Sequence, residues 1–137
     1  MVFDTATKIL IIGGLASLLF SFGMAFRLAL ARMADPEADQ HLLLQVHVVS
    51  LWEGFMLLGL VWAVALSDLS SGWETAATLL LVAGGALQLI GNTMAWRENN
   101  TNLFAPPRGL TFQIARANAI LALAGLVILI LGCVEAL

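Results

Sequence analysis

Four blocks of apolar residues alternate along the chain with shorter polar joints. The blocks fall at about 9–31, 41–66, 76–96 and 112–134. A hydrocarbon core of about 30 Å needs roughly 20 such residues at 1.5 Å rise each, so every block is long enough to cross it. Lipid offers no partner for backbone N–H and C=O groups, so each span must be a helix. The predicted fold is therefore all-α: an integral membrane four-helix bundle of antiparallel up-down topology, with the whole chain as a single transmembrane domain.

The joints carry matching start and stop chemistry. Asp35-Pro36-Glu37 offers an N-cap, a first-turn proline and an acidic residue ahead of the second helix. Ser71-Gly72-Trp73-Glu74 fits a capping box for the third. The connection from Arg97 to Thr111 holds Asn99, Asn100, Asn102, Pro106, Pro107 and Gly109, which predicts irregular backbone. Irregular connections of this length are often functional, so the segment is a candidate lid or site wall. Small residues recur at helix-packing intervals: Gly13, Ser17 and Ser21 in the first span, Gly84 and Gly91 in the third, Gly125 and Gly132 in the fourth. They let backbones approach where lipid removes the hydrophobic drive for helix association. Four spans enclose little volume, so a homo-oligomer is expected, and with it the option of a site between subunits.

Composition narrows the class further. At 61% hydrophobic and 11% charged, the 137 residues cannot make an ordinary water-soluble globule. Six Lys and Arg against nine Asp and Glu leave a net charge of −3 and no basic patch, which excludes a nucleic-acid partner. The lone Cys133 cannot form an internal disulfide, and one Cys with two His is too few for structural zinc. The charges that do occur are unevenly placed. Arg27, Arg32, Arg97, Arg108 and Arg116 fall on the side of the first and third connections, against Lys8 alone on the other. That bias puts the long loop in the cytoplasm and both termini outside. Ala29-Leu30-Ala31 mimics a signal-peptide cleavage site, but the apolar stretch before it exceeds the usual length of about 7–15 residues, so the segment is read as a retained span.

Polar side chains within a span cost on the order of 2–3 kcal/mol, so each is a candidate functional residue. The inventory is Arg27, then Gln45, His47, Ser50 and Glu53, then Gln88, Asn92 and Thr93, and finally Arg116 and Asn118. Antiparallel succession gathers Arg27, His47, Asn92, Arg97, Arg116 and Asn118 in the cytoplasmic half, with Glu53 near mid-membrane and Gln88 between. On the second helix Ser50, Glu53 and Gly54 lie about 60°, 120° and 20° from His47, one polar arc on which the small Gly54 leaves room for a flat ligand. His41 points well away from His47, so the two cannot share a metal within one chain.

Three readings of His47 stand side by side: a hydrogen-bonded packing histidine, a proton relay with Glu53, and an axial ligand to haem iron. No other span contains His, so a haem here would have one protein ligand and an open iron face, where Fe(III) acts as a Lewis acid. Arg27, Arg97 and Arg116 have the charge and depth to meet haem propionates, or else snorkel to lipid phosphates. Glu53 also reads as a hydrogen-bonded packing residue. Trp52, Trp62, Trp73 and Trp96 read first as interface anchors, and Met24, Met56 and Met94 as packing residues.

The run Ile9-Leu10-Ile11-Ile12 with Leu18-Leu19-Phe20-Ser21-Phe22-Gly23, His47 early in the second span, Gly91-Asn92 in the third, and Arg108-Gly109-Leu110-Thr111-Phe112 before the fourth resembles the bacterial styrene oxide isomerases over most of the chain. The resemblance implies a small four-span protein of the bacterial inner membrane, a homotrimer with haem b near the subunit boundary. It implies His47 as the axial ligand and ferric haem as a Lewis acid that isomerises a small apolar epoxide, drawn from the lipid, to an aldehyde. On this reading Arg27, Gly54 and Arg108 help hold the cofactor, and Glu53, Gln88, Asn92 and Trp96 are the candidate catalytic residues. The chain departs from the family where Glu53, Gln88 and Trp96 stand in place of an asparagine, an acidic residue and a tyrosine. The loop before Arg108 is also a few residues longer. A haem-binding relative without isomerase activity is therefore one alternative. A second, of a different class, is a cofactor-free small transporter or accessory subunit in which Glu53 titrates.

Overall fold

The computed structural model describes residues 4–137. Helix α1 spans Thr5–Ala34, α2 His41–Gly59, the short α3 Val61–Ala65, α4 Ser71–Arg97 and α5 Leu110–Glu135. Four helical stretches are long and apolar enough to cross a membrane, with α2 and α3 together making the second. Among the described residues there is no strand.

The helix ends follow from local chemistry, at different residues than the sequence suggests. Asp4 caps α1, its Oδ1 accepting the Thr7 N–H at 2.6 Å. Nothing in the chain stops α1 before Pro36, so it continues past residue 31 to Ala34. Asp35 therefore closes α1, donating its backbone N–H to the Ala31 carbonyl, and does not open α2. The acceptor at the start of α2 is Asp39, whose Oδ1 takes the His41 N–H at 2.9 Å. The expected capping box at Ser71 does not form: Ser70 is the N-cap, without a side-chain bond, and Glu74 is buried within the helix. The second span breaks at Leu60, directly after Gly59, where glycine is a weak helix former and no neighbouring atom packs against its Cα. At the far end of α4, Asn99 takes the left-handed conformation with φ 50°. The Asn100 N–H then reaches the Ala95 carbonyl at 2.8 Å and the Asn99 N–H the Trp96 carbonyl at 3.2 Å, a Schellman stop with asparagine in the usual glycine position.

Helix α4 is the hub. It packs on α5, α1 and α2, while α1 pairs closely with α2 and α5 rests chiefly on α4. Two crossings depend on missing side chains. A Cβ at Gly14 or at Gly54 would strike the other residue's carbonyl oxygen, and a Cβ at Gly125 would strike the Ala77 carbonyl of α4. The core divides along the bundle axis. One apolar cluster contains Leu10, Leu57, Leu81 and Leu129, and the other Met24, Leu28, Leu43 and Val46. Along the helices, Ser17, Ser21, Ser50 and Glu53 fall between these clusters, and all four are buried. This polar belt holds the candidate chemistry.

Candidate functional site

His47 faces α1. Its Nδ1 lies 3.0 Å from the Ser21 carbonyl oxygen and 2.9 Å from Ser21 Oγ. The Ser21 hydroxyl has one hydrogen, and it is directed at the His47 carbonyl oxygen, 3.0 Å away. Both contacts at Nδ1 are therefore to acceptors, so Nδ1 carries the proton and a neutral ring keeps its lone pair on Nε2. Ser50 supports the same turn by sharing its one hydroxyl hydrogen between the Val46 and His47 carbonyls, each at 2.9 Å. The imidazole is half-buried and its tautomer is set by the neighbouring helix.

Glu53 faces another way. It is 94% buried on the α4 flank of α2, and its carboxyl occupies the space a side chain at Gly85 would fill. Its Oε1 is fully buried with no hydrogen-bond partner among the described residues. Val49, Trp52, Glu53 and Met56 of α2, Gln88 of α4 and Ala122 of α5 line a groove of about 460 Å³ beside it. Asn118 donates from Nδ2 to Gln88 Oε1 at 3.0 Å, and its own Oδ1 is buried without a partner.

The remaining candidates divide between two places. Asn92 lies one turn beyond Gln88, in a cleft of about 200 Å³ shared with Gln45, Val46 and residues 100–104 of the long connection. Residues 98–109 are irregular, as expected, and form one wall of this cleft. The connection is tied back by a bond from the Thr111 hydroxyl to Glu98 Oε2 at 2.9 Å and by Phe104 against Phe112. Arg27 is exposed and stacks over the Trp96 ring at 4.7 Å, so a candidate cofactor residue and a candidate catalytic one form a pair. Arg108 stacks over Phe112 at 5.1 Å. Gly54, expected to leave room for a flat ligand, gives that room to Leu18 and Gly14 of α1.

Thus Glu53 and Gln88 come together, and Asn92 follows them along the α2–α4 seam. His47 is on the α1 flank, and among the described residues no hydrogen-bonded path joins it to Glu53. Ser21 is the site residue that the sequence reading missed. In the sequence it reads only as a small residue at a helix-packing interval. Gly85 carried no signal beyond being small. Asn118 stood in the polar inventory without a role.

The donor set bears on haem directly. Among the described residues no three His, Cys, Asp or Glu side chains converge on a bare metal ion. A porphyrin brings four ligands of its own and needs only one imidazole, and His47, with Nδ1–H anchored to a backbone carbonyl, has the form of such a ligand.

The fold defines a small all-helical protein with four spans of membrane-crossing length, consistent with a multi-pass membrane protein. No known family model, curated protein or solved structure matches this chain.

Proposed function

We propose that this chain is a haem b-binding protein of a bacterial inner membrane, with His47 as the single axial ligand and epoxide isomerisation as its reaction class. One observation carries the reading: Ser21 holds the Nδ1–H of His47, and Nε2 has no hydrogen-bond partner among the described residues. Metal-bound histidines usually donate their other ring N–H in this way. Ser21 thus sets the tautomer and orients the ring. Arg27 and Arg108 supply positive charge near the cytoplasmic ends of the spans, suited to carboxylates of a cofactor at the interface. When bound, ferric haem supplies a Lewis-acidic iron centre with one open side. In a single chain Glu53 and Gln88 lie on a different flank of α2 from the imidazole. The resemblance to the isomerases, with haem near a subunit boundary in a homotrimer, is the arrangement in which those residues would belong to a reacting face.

The test is an absorption spectrum of detergent-purified protein made with ample haem supply. A Soret band that disappears in His47→Ala supports the reading, and a colourless preparation overturns it. Haem-loaded protein given a small aryl epoxide should release the aldehyde. Haem bound without turnover would keep the cofactor and discard the isomerase.

A further inference from the structure

We infer that the groove between α2 and α5, floored by Gln88 of α4, binds a lipophilic protonated amine with Glu53 as its counter-ion. Within one chain this groove is separate from His47, which faces α1.

Glu53 gives the groove a carboxyl group that no donor among the described residues answers. Glu53 is only 6% exposed, and its Oε1 has no hydrogen bond. Leaving such an atom buried without a partner is costly, most of all in a span. A ligand that answers Glu53 must bring N–H or O–H donors, and to balance its carboxylate it must bring positive charge. Among the described residues no cation is placed to do so: Lys8 and all five arginines are exposed, and they lie towards the span ends. Nor can the carboxyl readily withdraw, because it is seated in the space left by Gly85.

The walls specify the rest of the ligand. Val49, Met56 and Ala122 are apolar, and Trp52, 70% exposed, stands at the open edge. A cavity of about 460 Å³ is in the range of small-molecule sites. An indole beside a carboxylate attracts a cation twice, through its ring face and through the shared charge. The ligand is therefore a compact apolar body carrying an ammonium group with N–H donors, entering sideways from the lipid.

The experiment uses the full chain in lipid nanodiscs with dansylcadaverine, a primary amine on an apolar fluorophore, and its N-acetylated form, which keeps the body and loses the charge. Saturable binding of the amine is expected, with the acetylated probe weaker by at least about tenfold and Glu53→Gln weakening the amine by a similar factor. Equal binding of the two probes to the unaltered chain overturns the inference, even if Glu53→Gln fails to fold. Full affinity in a folded Glu53→Gln protein overturns it as well.

Discussion

Ser21 and His47 clasp one another across the α1–α2 crossing: the serine hydroxyl donates to the histidine carbonyl at 3.0 Å, and the ring Nδ1 meets the serine carbonyl at 3.0 Å. The pair joins the backbones of two spans and sets the protonation of one ring nitrogen. It is small, local and directly testable.

Ser21→Ala removes the hydroxyl while keeping the carbonyl acceptor. Haem affinity is expected to fall by about tenfold without being abolished, the lower end of what losing an outer-sphere partner costs. Ser21→Thr, which restores a hydroxyl, should recover most of it. Haem titration followed at the Soret band checks this, and unchanged affinity in Ser21→Ala would show that the clasp does not orient the ligand.

The Glu53–Gly85 contact makes a coupled pair. Gly85→Ala places a methyl where the carboxyl sits, so a loss of about 1–3 kcal/mol is expected on unfolding in mixed micelles. Glu53→Ala in the same chain should relieve most of that loss. Strict additivity in the double-mutant cycle would mean the two residues do not compete for the space.

Glycines at crossings and glycines in the open should respond with opposite sign. Gly125→Ala drives a Cβ into the α4 backbone and is expected to destabilise the α4–α5 pair by about 2 kcal/mol or more. Gly23 lies mid-helix with nothing within 4 Å of an added Cβ, so Gly23→Ala should stabilise by about 0.5–1 kcal/mol. Thermal unfolding of both variants decides it; a shift of the same sign in both would rule out the close crossing.

Asn99 supplies the positive φ that ends α4. Asn99→Gly should be neutral or slightly stabilising, whereas Asn99→Val should cost about 1–2 kcal/mol and loosen the start of the 98–109 connection. Limited proteolysis at that connection should be faster in the valine variant alone.

Much of the architecture was legible in the chain because lipid leaves so few options. A run of some twenty apolar residues must be a helix, and Asn99, Pro106, Pro107 and Gly109 must interrupt one. Boundaries were less legible: Asp35, Asp39, Ser70 and Ser71 all have capping chemistry, and which of them caps depends on how far the preceding helix runs. Within the site, the polar arc from His47 to Glu53 was visible from residue spacing. Its division between two seams was not.

The sequence by itself determined the number of spans, their helical character and the small set of polar residues that stand within them, since burial of backbone in hydrocarbon and the cost of buried polarity act residue by residue. Tertiary structure alone decided that His47 turns to Ser21 and Glu53 to Gly85. An angle of about 120° around one helix becomes two separate sites only when α1 occupies one flank and α4 the other. Which helix takes which flank follows from the close approach allowed at Gly14, Gly54 and Gly85, a property of pairs of surfaces that no single stretch of chain contains.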